Sequence, residues 1–320
     1  MFSAIDQTVE SIGDNKKRVL VIKSTVPPST AKTKVIPYIN EKHHDKKSQI
    51  AVANNPEFLR EGHCWDDFVN ADRIVIGSED DFAKEAINKL YSNSGIAIDN
   101  VSLNTAEFIK YLSNTTLACM ISYANEMSLA ADAIGDIDVA DAFRILHTDK
   151  RWQTGSIRSY MYPGCGYGGY CLPKDTNAFY SLLHEMGYDC KMLEQAIKLN
   201  DNMAKNTADK IAAKCQNKND VIGILGLSFN VGSDDVRDTP AAKIIRELNA
   251  EGYSNIIAYD PVAIQNFKEM YPEISVKTVS SYAELIDAAE TIAIVTAWEE
   301  FSNIKSLTDK PIIDCRYMLK

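Results

Sequence analysis

The sequence predicts an α/β fold in three stretches: an α/β alternation, a long-helix centre, and a second, doubly wound α/β segment. Three observations carry this. Short runs rich in Val and Ile, bounded by Pro, Asn and Gly, recur between residues 18 and 77 and again after Asp220. Pieces with helical spacing stand between them, and strands alternating with helices imply a parallel sheet. In the middle, residues 105–134 change to one sustained helical pattern.

In the first stretch, residues 18–23 (RVLVIK), 50–53 and 73–77 (RIVIG) read as buried strands, with helices over 30–39 and 81–91. The central helix carries Ala106, Ile109, Leu112, Leu117, Met120, Ile121, Ala124, Met127, Leu129 and Ala131, apolar around much of its circumference. A helix of that kind is buried on more than one side. It bridges two domains or packs against its own copy in a dimer. A helix over 139–146 leads to a glycine-rich loop, and helix resumes over 175–186. In the last stretch, 221–225, 256–259, 291–296 and 312–314 read as strands, and 239–250 and 281–289 as helices. Thr239 followed by Pro240 matches the preferences of the N-cap and first helical position.

The composition is that of a water-exposed globular chain, 45% hydrophobic and 24% charged over 320 residues, enough for two or three cores. No apolar run approaches the roughly 20 residues that cross a bilayer. The N-terminus shows neither an apolar h-region nor a small-residue cleavage site, so a cytoplasmic location is expected. Seven scattered cysteines, with no C-x-x-C pair, suggest reduced thiols and no zinc site. A net charge of −10 argues against nucleic acid and anionic membranes as partners. An anionic small molecule then needs local positive contacts, which makes single Lys and Arg residues in motifs informative.

The densest chemistry lies in residues 164–176, GCGYGGYCLPKDT. Four glycines in six positions let a backbone turn tightly and approach a ligand, because no Cβ intrudes. Cys171, Lys174 and Asp175 follow, a thiol, an ammonium and a carboxylate within five residues. This is how an activated nucleophile is commonly delivered. A nearby cation and a helix N-terminus both favour the thiolate. Cys165 has glycine neighbours and no charged ones, and reads as structural. Asp175 suits the N-cap of the following helix, a role compatible with that of a base. Lys174 reads equally as a site residue or a solvated charge.

Other candidates are weaker alone. Lys110 and Asn114 stand at i and i+4 on the central helix, a pair costly to bury without a polar contact, and read first as a solvent-facing edge. Glu57 and Glu61, in NPEFLREG, are again at i and i+4, with Pro56 at an expected helix start, where acidic residues suit the macrodipole. Thr25, in KSTVPP, leaves a strand at the carboxyl edge of the sheet, where open α/β folds bind ligands. Its hydroxyl either acts or caps a turn. Arg237 follows Ser233-Asp234-Asp235 on a loop where it could meet a phosphate, and Asp260 reads equally as a turn residue. Gly223 and Gly226 form no G-x-G-x-x-G pattern, and the chain is read as carrying no such dinucleotide fingerprint.

Taken together, KSTVPP, NPEFLREG, FIKYLSN, GYGGYCLPKDT, SDDVRDTP and TAWEEF, in this order from about residue 18 to 301, resemble the UDP-glucose/GDP-mannose (nucleotide-sugar) 6-dehydrogenase family. The resemblance implies a partial N-terminal Rossmann-like domain, a central long-helix domain and a C-terminal Rossmann-like domain. It divides the chain into 1–102, the remainder of an NAD-binding domain whose early strands precede it; 103–205, a central helical and dimerisation domain with the cysteine loop; and 206–320, a UDP-sugar-binding domain. The activity implied is a four-electron oxidation of UDP-glucose to UDP-glucuronate with NAD. The alternatives are GDP-mannose, a UDP-N-acetylhexosamine, or an inactive nucleotide-sugar-binding fragment.

The same resemblance assigns roles. Cys171 attacks an aldehyde-level C6 to give a thiohemiacetal and then a thioester. Lys110 and Asn114 stabilise the C6 oxyanion. Asp175 and Thr25 orient or activate water, and Glu57 serves acid–base and thioester chemistry. Glu61 lies by the nicotinamide, Arg237 contacts the cofactor pyrophosphate, and Lys174 belongs with the cofactor contacts. The loop over 160–168, with Tyr160, Gly164 and Gly168, grips the nucleotide diphosphate. Two departures stand out. Asn230 follows Phe229 where a lysine is usual, and the arginine that relatives supply across a dimer is either Arg151 or Arg158.

Overall fold

A computed structural model describes residues 1–152 and 157–319. The chain divides into two compact units, Met1–Ser113 and Asn114–Lys320.

The first unit runs through α1 (Phe2–Glu10), β1 (Arg18–Ile22), a π-helical stretch (Ala31–Val35) continuing into α2 (Ile36–Lys42), β2 (Ile50–Asn54), α3 (Cys64–Val69), β3 (Ile74–Gly77), α4 (Asp81–Tyr91), β4 (Ile98–Val101) and the first turns of α5 (Leu103–Ile134). Alternation along the strands sorts side chains to the two sheet faces. Ile22 and Val52 pack with Ile5 and Val9 of α1 and with Val35 and Ile39. Ala51, Ala53, Ile74 and Ile76 pack on the other side with Ala83 and Ile87 of α4. Helix α4 starts where Asp80 accepts the Ala83 amide at 3.2 Å, an N-cap that satisfies an orphan donor.

The sheet order is β1-β2-β3-β4. The expected parallel sheet needs one correction. β1/β2 and β3/β4 are parallel, but β2 and β3 are antiparallel and pair only at Asn54 and Gly77, the last residue of each. An antiparallel partner needs no full crossover helix, and the link between these strands holds only the six-residue α3. The helix expected to begin at Pro56 is absent. Residues 55–60 are irregular, so Glu57 and Glu61 do not share a helical face.

The second unit holds the rest of α5, then α6 (Val139–Leu146), α7 (Ile157–Tyr160), α8 (Cys171–Glu185), α9 (Lys191–Ala212), β5 (Ile222–Leu225), α10 (Pro240–Ala250), β6 (Ile256–Tyr259), α11 (Ile264–Met270), β7 (Lys277–Thr278), α12 (Tyr282–Ala288), β8 (Thr291–Ile294) and β9 (Ile312–Asp314). The sheet order is β7-β6-β5-β8-β9, all parallel. With the first strand at its centre, the strand order reverses between β5 and β8, and this is the doubly wound arrangement expected. Ile222 and Ile224 face the core built with α9 and α10, while Leu225 faces α12.

Two helix starts bear out the capping logic. Thr239 accepts the Ala241 amide at 3.3 Å, with Pro240 at the first helical position. Ser281 accepts the Glu284 amide, and Glu284 reaches back to the Ser280 amide at 2.9 Å. One start is a correction. α8 begins at Cys171, not Asp175, so Asp175 lies inside the helix and does not cap it. Helix α9, 22 residues long, was not apparent in the sequence. Its buried face sets Leu193, Met203 and Ile211 among Ala196, Asn200, Ala204, Thr207 and Ala208, so small and polar residues interrupt the apolar stripe. Among the described residues, no helix is long and apolar enough to cross a membrane.

Candidate active site

In the first unit, the candidate residues gather where β1 and β2 end. Asn55 fixes this edge. Its amide donates to Ile22 O at 3.0 Å, its Nδ2 donates to Val75 O at 2.8 Å, and its Oδ1 accepts Lys23 Nζ at 3.0 Å and Tyr91 Oη at 2.8 Å. The next residues turn back rather than coil. Glu57 Oε2 accepts the Leu59 amide at 2.7 Å, and Glu57 Oε1 stands 3.3 Å from Lys110 Nζ. Lys110 is only 4% exposed, so it is not on a solvent-facing edge. Its ammonium is held by that carboxylate and by the face of Phe58, 5.4 Å from the ring centre. Arg60 engages Asp67 with two nitrogens and holds its carboxyl below the usual range. Thr25 is half-buried on the loop after β1, and Glu61 is half-buried in the turn before α3.

In the second unit, Cys171 is exposed and is the first residue of the 15-residue α8. Thiolate charge at a helix N-terminus is favoured by the unsatisfied amides there. One turn further on, Asp175 is fully buried. Its Oδ2 accepts Asn114 Nδ2 at 2.6 Å, and its Oδ1 is paired with Lys174 Nζ. Both carboxylate oxygens therefore have charged or amide partners, and the buried Asn114 is explained. Tyr170, next in sequence to Cys171, is exposed, with Arg237 4.8 Å and Lys174 5.5 Å from its ring centre. The Arg237 guanidinium also forks onto Asp235, Nε and Nη2 at 3.0 and 2.6 Å, so a phosphate at Arg237 would share it with that carboxylate.

At the loop glycines, the space a Cβ would take is filled by the chain itself. A Cβ on Gly168 would strike the Asp238 carbonyl and meet Pro240 Cδ at 2.9 Å; one on Gly169 would lie 2.8 Å from the Phe229 ring. The Gly169 amide donates to Arg237 O at 3.0 Å. Contrary to the expected absence of a G-x-G-x-x-G pattern, Gly164, Gly166 and Gly169 keep that spacing. It is not a dinucleotide fingerprint, which requires a strand before it. This loop follows α7, and its glycines meet Arg316, Asn200 and Phe229.

Sequence reasoning missed the residues that hold the loop. Asn200 accepts the Tyr167 amide at 2.7 Å, and Asn125 accepts the Gly164 amide at 2.7 Å. Each is a polar residue at a buried helical phase, and that mismatch was the available signal. Burial pushes the Tyr167 hydroxyl up to about 12, and Cys165 is buried, as expected of a structural thiol. Asp260 is a turn residue in fact. Its Oδ2 accepts the Leu227 and Ser228 amides and Trp298 Nε1, and its Oδ1 accepts the Val262 and Ala263 amides. Arg151 pairs with Asp149, Arg158 donates to Trp152 O, and Asn230 bonds the Val231 amide. Tyr160 is half-buried at the end of α7.

For a dinucleotide, the first unit offers polar side chains on the segments that leave its strands. The Ser24 and Thr25 hydroxyls and the Glu61 carboxylate lie on segments leaving β1 and β2. Among its described residues no glycine-rich turn joins a strand to a helix to take a pyrophosphate.

Three family models match the chain: the NAD binding domain, the central domain and the UDP binding domain of the UDP-glucose/GDP-mannose dehydrogenase family, over residues 1–94, 104–202 and 223–320. A UDP-glucose 6-dehydrogenase of Rickettsia bellii is 36% identical over 331 aligned positions, covering 100% of this chain and 73% of the relative. The chain belongs to the UDP-glucose/GDP-mannose dehydrogenase family. Another family member, UDP-glucose 6-dehydrogenase YwqF of Bacillus subtilis, is 33% identical, with 97% of this chain and 70% of the relative covered. The solved UDP-glucose dehydrogenase of Pyrobaculum islandicum superposes with a TM-score of 0.86 at 32% identity, over 95% of this chain and 68% of that one. The family's central-domain match contains both α8 and the start of α9, so Cys171, Asp175 and Asn200 all fall within it.

Proposed function

We propose that the chain catalyses the NAD-dependent oxidation of UDP-glucose to UDP-glucuronate, a four-electron reaction at the sugar C6. The observation that carries this is Cys171 at the N-terminus of α8, one turn before a carboxylate held by Asn114 and Lys174, in a chain of this family. When bound, NAD accepts the hydride released from C6 at each oxidation.

The chain's own residues do the rest. Lys110 and the unspent Nδ2 proton of Asn114 stabilise negative charge on the C6 oxygen, since an amide nitrogen has two donors and Asp175 takes one. The Cys171 thiolate adds to the aldehyde carbon, forming the C–S bond of a thiohemiacetal and keeping the intermediate on the protein. After the second oxidation C6 is a thioester. Water, oriented by Asp175 and Thr25, attacks it, the C–S bond breaks, and the carboxylate leaves. Glu57 exchanges protons with the C6 oxygen through Lys110. Glu61 and Lys174 serve the cofactor side, with Arg237 on phosphate, and Tyr160, Gly164 and Gly168 border the nucleotide.

A homodimer through α5 fits the exposed apolar positions Phe108, Leu112, Tyr123 and Ile134 on that helix, with Arg151 or Arg158 reaching the partner. A cytoplasmic setting fits a mechanism that needs Cys171 reduced. The test is incubation of the purified chain with NAD and UDP-glucose, following NADH and the sugar acid by mass spectrometry. Two NADH per acid is expected. UDP-glucose binding without either product would overturn the proposal.

A further inference from the structure

The Glu107 carboxylate lies in the first unit and is 2% exposed, and nothing in the mechanism uses it. Its Oε1 accepts the Ala31 amide at 2.8 Å and Asn54 Nδ2 at 2.9 Å. Its Oε2 is buried with no hydrogen-bond partner. Ala31 begins the helical run that continues through α2. The first amides of such a run need acceptors, and the residue placed to cap it does not supply one. Thr30 spends its hydroxyl on Pro27 O at 2.5 Å and makes no capping bond. Ser29 before it is held at a φ of 74°, a left-handed conformation that costs free energy for a residue with a Cβ. The start of this helix is therefore capped from a distance, by a side chain 76 residues later in sequence.

What Glu107 joins is informative. Through Ala31 it anchors the far end of the loop that carries Thr25. Through Asn54 it anchors the end of β2, two peptide bonds before Pro56 and three before Glu57. Lys110, which meets Glu57, is at i+3 from Glu107 on the same helix. One turn of α5 thus fixes both segments that bear candidate groups in this unit.

We propose that Glu107 is a positioning residue for the reaction: its carboxylate sets the Thr25 loop and the Asn54–Glu57 segment in register with Lys110. This rests on the oxidation proposed above, in which Thr25, Glu57 and Lys110 serve C6. Burial pushes the Glu107 carboxyl above its usual range, and the hydrogen bonds it accepts, the Ala31 amide's first, pull the other way, as expected of a buried group retained for its acceptors.

The test compares Glu107→Ala and Glu107→Gln in the full chain. Glutamine keeps an acceptor at Oε1 and alanine removes it. Glu107→Ala is expected to lower kcat by roughly 10- to 100-fold, the scale of an ångström-sized misplacement, with KM for UDP-glucose changed by less than about 2-fold. Glu107→Gln is expected to restore kcat to within about 3-fold of the wild type. Amide hydrogen exchange at residues 29–35 is expected to quicken in the alanine variant and not in the glutamine one. If Glu107→Ala does not fold, Asn54→Ala, which removes one of the two donors to Oε1, carries the same kcat-against-KM comparison. A folded alanine variant with wild-type kcat, or a loss of kcat that glutamine does not rescue, overturns the proposal. An inactive wild type would sink the oxidation instead. In that case protection at residues 29–35 still decides whether Glu107 holds the loop.

Discussion

Asn114 and Asp175, 61 residues apart, are joined by a 2.6 Å hydrogen bond with both side chains buried. The bond fixes which way the Asn114 amide faces, because a carboxylate accepts only from Nδ2. Asp175→Asn keeps the shape and removes the charge, leaving Lys174 without its counter-ion and the Asn114 amide free to flip. We expect kcat to fall by about 10²–10⁴-fold, the usual scale for losing a positioned acid–base group. Steady-state kinetics with UDP-glucose, alongside a thermal melt showing a folded variant, checks this.

Cys171 is exposed at a helix start, whereas Cys165 and Cys315 are buried. In the native protein, iodoacetamide should modify Cys171 and spare the other two until denaturant is added. Peptide mass mapping reads the sites. Prior incubation with UDP-glucose should slow modification of Cys171, and Cys171→Ser should make no sugar acid.

Gly168 abuts backbone, not a flexible side chain: the Asp238 carbonyl and Pro240 Cδ occupy the space of its missing Cβ. Gly168→Ala forces the loop and residues 238–240 apart. We expect a loss of about 1–3 kcal/mol in urea unfolding, the usual range for overpacking, with activity reduced at least 10-fold.

Glu107 makes stability depend on pH in a definite direction. Its carboxyl is raised in the folded state, chiefly by burial, so the folded state holds the proton when the unfolded state has released it. Stability from this group is full below the ordinary glutamate range and declines as pH rises through the raised value. Glu107→Gln lacks that decline. Urea unfolding of both proteins at several pH values from about 4 to 8 should show the wild type losing ground to the glutamine variant as pH rises.

Asp6 behaves oppositely. Lys42 first, then His43, hold its carboxyl down at about 2. The stabilisation is present above the ordinary aspartate value and lost as pH falls through about 2. Carboxyl chemical shifts of Asp6 should titrate at that low value, and Asp6→Asn should flatten the acid limb of the unfolding curve.

Much of this architecture could be read from the sequence because it is local. The Val/Ile runs placed the β5, β6 and β9 strands, and Thr239-Pro240 placed the start of α10 to the residue. Contacts between distant residues were not legible. Nothing in NPEFLREG signals that Glu57 turns back onto Lys110, 53 positions later, rather than starting a helix. The antiparallel approach of β2 and β3 leaves no mark in the strands, which are apolar like their parallel neighbours. Even the glycine loop was legible only in part. Its flexibility was evident, but the surfaces that require it, Asp238, Asn200 and Phe229, lie far along the chain.

The seating of Gly168 and Gly169 against Asp238 and Phe229, with the Gly169 amide on Arg237 O, bears on how this enzyme can be re-engineered. A graft that replaces residues 223–320 with the corresponding part of a relative, in order to change the nucleotide accepted, would put a foreign surface beneath the nucleophile's loop. Residues 164–176 should travel with such a graft as a single cassette. Chimaeras joined between the two segments are expected to bind the new nucleotide and yet turn over poorly.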